Sequence, residues 1–165
     1  MEKLWATWRM PYIESVDKTE GGCIFCDKPN ATSEEDSELI LHRGAKSFVI
    51  LNRFPYNPGH VMIAPYRHVG SFAELNDAER MEIMELLGRT ESILMDRFSP
   101  DGINAGVNLG RAAGAGVLGH LHVHLVPRWT GDTNFMPVFG NVRVIPESLK
   151  DTGAKLRPHF EDGRD

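Results

Sequence analysis

Cysteine is almost absent from this chain: its 165 residues hold two, Cys23 and Cys26. A scaffold stapled by several disulfides is therefore excluded. No run of 18 apolar residues occurs, which excludes a helical membrane span. Positive charge is also short, with 18 Lys and Arg against 23 Asp and Glu and a net charge of −5. A broad nucleic-acid surface needs clustered cations and is not expected here. A small phosphate-bearing ligand remains open, because it needs only local positive groups and backbone N–H donors. The opening MEKLWATWRMPYIESVDK has no apolar core followed by a small-residue cleavage site, so a cytoplasmic protein is expected.

What is present fits an ordinary soluble domain, with 41% apolar and 25% charged residues. A chain of this size buries roughly two-thirds of its unfolded surface and folds without a staple. Residues 1–20, aromatic and charged without a period, read as an N-terminal extension. Residues 21–150 form the main domain, and 151–165 a C-terminal tail that begins in a short helix.

Within the main domain, the polar run 27–37 reads as a loop. LILHRG and SFVILN are short strands parted by Gly44, and NRFPYNPGH is a turn. HVMIAPY is a central strand. From Asn76 the period becomes helical, with Glu79 three residues on in an approximate capping box. Ile83, Met84, Leu86, Leu87, Ile93, Leu94, Met95 and Phe98 recur at helical spacing, and the methionines of this segment are expected to fill core space. Ser99-Pro-Asp-Gly stops the helix; INAGVNL and HLHVHLVP are further strands. VRVIP is extended, and ESLKDTGAKLRPHF is a short helix. The expected fold is α+β: an antiparallel sheet of about five strands, one main helix across a face, and a short C-terminal helix.

His120, His122 and His124 occupy alternate positions of GHLHVHLVP. On a strand they line one face, while Leu121, Val123 and Leu125 line the other. Three imidazoles in register need partners if buried, and a neutral imidazole near pH 7 is a nucleophile, base or metal ligand. The preceding NLGRAAGAGVLG is rich in glycine and has no lysine, so it is not a Walker loop. Glycine lets backbone N–H groups approach an anion. Taken alone, C-x-x-C at Cys23 and Cys26 admits a buried reduced pair, a redox dithiol or half of a metal site.

His-x-His-x-His at 120–124, followed by two apolar residues, resembles the motif of the histidine triad nucleotide hydrolases and transferases. NRFPYNPGHVMIAPYRH, residues 52–68, is similar to that family's upstream block. The resemblance covers roughly residues 21–150. It implies that His122 is the nucleophile, forming a nucleotidyl-histidine at an α-phosphorus. It further implies that His124 contacts phosphate oxygens, that His60 stands on the site rim, that Asn52 binds the nucleoside sugar and that Asn108 holds phosphates. Backbone N–H groups from Gly116 to Gly119 would stabilise the transition state. Some triad proteins, and the related hexose-phosphate uridylyltransferases, bind zinc through an upstream C-x-x-C. The matching ligands here are Cys23, Cys26, His68 and His120, a closed structural set.

One departure counts. The phosphoramidate-cleaving branch has serine three residues before the first motif histidine, where this chain has Val117. The segment after the motif resembles bacterial triad enzymes acting on diadenosine tetraphosphate, phosphorylases among them. Trp129 and Phe135 are candidates for stacking on adenine, or are core or dimer contacts. Arg128 and Arg111 are candidates for steering phosphates, or are solvated. The resemblance also implies a homodimer.

Overall fold

A computed structural model of the chain describes residues 22–30, 38–133 and 144–161. The extension at 1–20, Phe135 and most of the polar run at 31–37 lie outside the described residues. Five strands form one antiparallel sheet: β1 (Ile40–Arg43), β2 (Ser47–Leu51), β3 (Val61–Pro65), β4 (Gly102–Gly106) and β5 (Val123–Arg128). Their spatial order is β1-β2-β3-β5-β4. Among the described residues the helices are α1 (Ile24–Asp27), α2 (Asp77–Phe98) and α3 (Leu149–Glu161), with three single-turn 3₁₀ segments. The expected α+β architecture is the one observed.

The apolar runs read as strands are buried on both faces in β2 and β3, where every residue is excluded from solvent. Register divides the sheet. Ile50, Met62 and His124 are cross-strand partners and share one face, while Leu51, Val61 and Leu125 share the other. Helix α2 crosses β2, β3 and β5, and α3 packs on β1 and α2. Gly153 of α3 lies against Leu51, where an added Cβ would be 3.5 Å from the leucine Cδ1.

The capping box at α2 is present in both directions. Glu79 N–H donates to Asn76 Oδ1 at 3.0 Å, and Asn76 N–H donates to Glu79 Oε2 at 2.9 Å. Ser99 ends the helix in the left-handed region, with φ 44°, just before Pro100.

Four expectations need correction. Met81, Met84 and Met95 do not fill the core; they are 63%, 64% and 45% exposed. Ile83, Leu86, Thr90 and Leu94 hold the inward stripe, and at about 100° per residue the methionines lie roughly 100–160° around the helix from it. The INAGVNL strand ends early, at Gly106. Lys28–Asn30 form a 3₁₀ turn rather than plain loop. Finally, β5 begins at Val123, so His120 and His122 precede the ladder. Pro65 has no N–H to extend pairing with the segment before β5, and its carbonyl is taken by the His120 ring.

Candidate active site and metal centre

Glycine 119, with φ +75°, turns the chain into the histidine segment. Leu121 N–H then donates to Val69 O at 2.6 Å, docking this segment on the loop that follows β3. Side chains alternate as expected: Leu121, Val123 and Leu125 are buried in the core. The histidines face away from them, His120 and His122 almost fully buried and His124 half-buried.

Each ring has a tautomer set by its partners. His122 Nδ1 lies 2.8 Å from the His120 carbonyl oxygen, an acceptor, so Nδ1 carries the proton. Nε2 of His122 is left with its lone pair. Burial holds the His122 pKa below the ordinary histidine value, against the opposing pull of that hydrogen bond, and so keeps the ring neutral.

Behind His124 stands His60, which is 1% exposed and therefore not on the rim. Tyr56 N–H donates to His60 Nδ1 at 3.1 Å. His60 Nε2 thus carries a proton, which it donates to His124 Nδ1 at 3.0 Å. By exclusion His124 keeps its hydrogen on Nε2, a donor suited to a phosphate oxygen. Tyr56 also stacks on His60, with ring centroids 4.8 Å apart and planes at 28°.

Asn52 is half-buried beside this relay. Its Oδ1 accepts from Phe54 N–H at 2.9 Å, and its Nδ2 lies 3.4 Å from both His60 ring nitrogens. A cleft of about 450 Å³ opens beside His124; Tyr56, Asn57, Gly106, Asn108, Arg128 and Asp132 are among its walls. Trp129 is half-buried and stands outside that lining. Gly116 is half-buried in the glycine-rich connection.

Arg128 is exposed at the cleft wall but paired. It donates to Asp132 through Nε (2.6 Å) and Nη2 (3.0 Å), and to Asn104 Oδ1 through Nη1 (2.9 Å). Asp132 also accepts from Asn57 Nδ2 at 2.8 Å. The carboxylate thereby ties the NPG turn to the end of β5, and these bonds hold its pKa well below the usual range.

Cys23, Cys26, His68 and His120 converge, each offering one ligand atom, with all four atoms within 4.8 Å of one another. His120 Nδ1 is 3.2 Å from Cys23 Sγ and 3.6 Å from Cys26 Sγ; His68 Nδ1 is 3.4 Å from Cys26 Sγ. Ligands about 2.0–2.3 Å from a tetrahedral centre stand roughly 3.3–3.8 Å apart, so the set fits a zinc-sized ion. The Nε2 of His120 donates to Pro65 O at 2.8 Å, which frees Nδ1 to ligate. Without a cation, burial and then the neighbouring Cys23 push the Cys26 thiol up to about 11. A metal ion would remove that cost by compensating the thiolate charge. Gly119 borders this cluster: an added Cβ there would come 3.3 Å from His68 Nε2.

Three contributors escaped sequence reading. Tyr56 sits in a segment read as a turn, Asp132 in the stretch after the triad, and pairing across the fold gives them their roles. Phe25 lies between the two cysteines, is 1% exposed, and packs on His122 and His120 with ring centroids 4.6 and 5.2 Å away. Its one sequence signal is an aromatic residue inside C-x-x-C.

The family model described as "HIT domain" matches residues 32–131. An AP-4-A phosphorylase of Mycobacterium tuberculosis is 38% identical over 92% of this chain and 80% of its own length. Among solved structures, a hypothetical histidine triad nucleotide-binding protein from Sulfolobus tokodaii aligns with a TM-score of 0.68 at 26% identity, over 85% of this chain and 93% of that one. A Zn-bound histidine triad family protein from Mycobacterium smegmatis shares the fold, with a TM-score of 0.65 at 23% identity over 85% and 94% of the two chains. With its histidine relay, glycine turn and model match in agreement, this chain belongs to the HIT domain family.

Proposed function

We propose that this protein is an enzyme that cleaves dinucleoside polyphosphates, such as diadenosine tetraphosphate, at an α-phosphate through a nucleotidyl-histidine on His122. The observation that carries this reading is the fixed tautomer of His122: Nδ1–H on the His120 carbonyl, with Nε2 free. Support for the substrate class comes from the similar AP-4-A phosphorylase.

In the first step the Nε2 lone pair attacks the α-phosphorus. The bond from phosphorus to the bridging oxygen breaks, and that oxygen leaves with the electron pair on the nucleoside polyphosphate. The ring now holds phosphorus on Nε2 and the original proton on Nδ1, so it carries one positive charge. In the second step an acceptor oxygen attacks phosphorus, the P–N bond breaks, its electron pair returns to Nε2, and any proton on the attacking oxygen passes to solvent. Inorganic phosphate as acceptor gives ADP and ATP from diadenosine tetraphosphate; water gives AMP and ATP.

His124, oriented by His60, would donate its Nε2–H to a phosphate oxygen, and Asn108 would hold the phosphates in the cleft. Backbone N–H groups around Gly116 would add to that donor set. Asn52 would bind the sugar, and Trp129 the base. Cys23, Cys26, His68 and His120 would hold zinc as a closed structural site that compensates the thiolate charge and locks the N-terminal turn onto the histidine segment. We assign a cytoplasmic homodimer on the family resemblance; β4 is an edge strand, paired with β5 alone among the described residues.

Resolving products from diadenosine tetraphosphate, with and without inorganic phosphate, tests the reading. ADP formed only with phosphate identifies a phosphorylase, and AMP with ATP a hydrolase; no conversion refutes the proposal. Hydrolysis of phosphoramidates is the second reading, disfavoured by Val117 where that branch uses a serine.

A further inference from the structure

Between the two cysteines, the four-residue helix α1 carries Phe25 beneath the histidine segment. The phenylalanine is 1% exposed and is held on a third side by Phe48, with ring centroids 6.4 Å apart. Its nearest aromatic neighbour is His122, at 4.6 Å with planes inclined by 34°. A phenylalanine of this kind would serve as ordinary core filler if the neighbouring ring stayed neutral.

That ring does not stay neutral in the reaction proposed above. With its proton retained on Nδ1 and phosphorus added at Nε2, His122 becomes an imidazolium cation in a buried, poorly solvated place. The His120 carbonyl meets the charge at one edge, and the His124 ring stands edge-on with centroids 4.9 Å away. A benzene face within about 6 Å of a cation attracts it through its quadrupole, and more strongly where water is excluded.

Resting on that reading of His122, we propose that Phe25 is a positioning residue that steadies the cationic nucleotidyl-imidazolium as a cation–π partner. The attraction is stronger for the charged ring than for the neutral one, so it lowers the barrier to the intermediate rather than merely tightening binding. The C-x-x-C turn would thereby do two things: ligate through its sulfurs and support the nucleophile through the residue between them.

The test replaces Phe25 by 4-fluoro-, 3,5-difluoro- and 3,4,5-trifluorophenylalanine, which keep its shape while withdrawing density from the ring face. In single turnovers with labelled diadenosine tetraphosphate, nucleotidyl-enzyme formation should slow with each added fluorine. Phe25→Leu should slow it about three- to thirtyfold. Zinc content and KM should hold through the fluorinated series. A rate flat across that series, or a fall that tracks zinc loss, overturns the proposal. A wild-type protein that forms no nucleotidyl-enzyme refutes the functional reading instead. The ring contact is then judged by NMR of the ligand-free protein, where an upfield His122 Hε1 signal unmoved by Phe25→Leu would dismiss it.

Discussion

His60 Nε2 stands 3.0 Å from His124 Nδ1, and the other nitrogen of the His60 ring accepts from Tyr56 N–H. One backbone donor thus fixes the proton positions of two successive rings. The consequence is that His124, at the cleft wall, holds its hydrogen on Nε2, where it can be donated.

Removing the middle of this relay tests it. His60→Ala should lower kcat by about 10²-fold, the usual cost of losing one oriented donor at a transition state. His60→Gln, which keeps an N–H near the same place, should recover part of the loss. Steady-state kinetics on both variants, with thermal melts to confirm folding, decide the matter; equal activity in all three proteins would dismiss the relay.

His122→Gly should abolish turnover while leaving the melting transition in place. Added imidazole should restore measurable product by occupying the vacated ring position. Undiminished activity in the variant would refute His122 as nucleophile.

Elemental analysis of protein purified without chelator should find one zinc per chain. Cys26→Ser should bind less zinc and melt about 10 °C lower, since a structural site contributes several kcal/mol, each worth about 2–4 °C in a chain of this size. Full stability in zinc-free protein would remove the metal from the account.

Acid stability should carry the signature of Glu79. Its carboxylate accepts from Arg67 Nε and Nη2 at 2.9 and 2.8 Å, and from Asn76 N–H at 2.9 Å. These bonds, the Arg67 ones foremost, hold its pKa near about 2 against an ordinary 4.5. A depressed folded-state pKa stabilises above the unfolded value and is lost as pH falls through the folded one. Denaturant melts should therefore show stability falling between about pH 4.5 and 2, with a shallower fall in Glu79→Gln. Parallel curves for the two proteins would show that this carboxylate is not the group responsible.

Much of this was legible in the sequence because the signals were local and periodic. Alternation placed the triad on one side and Leu121, Val123 and Leu125 on the other; the Asn76–Glu79 spacing gave the α2 cap. The C-x-x-C left several readings open by itself; the family resemblance named Cys23, Cys26, His68 and His120, and these four do come together. The remainder depends on tertiary pairing. Met84 and Met95 fit a broad apolar stripe, but the narrow inward face went to Ile83, Leu86 and Leu94. His60 looked like a rim residue because nothing in its turn shows that Tyr56 and His124 enclose it. The pairing of Arg128 with Asp132 and Asn104 arises only in the fold and left no mark in the sequence.

Glycine 119 has a consequence beyond its turn. Its φ of +75° disfavours any side chain, and a Cβ there would press on His68. A single methyl group would disturb the chain's handedness and the spacing of a candidate ligand together. Alanine at this position is therefore expected to register first as altered metal affinity, with the sheet still fully formed. A backbone position without chemistry of its own would thus set the spacing of the candidate ligands.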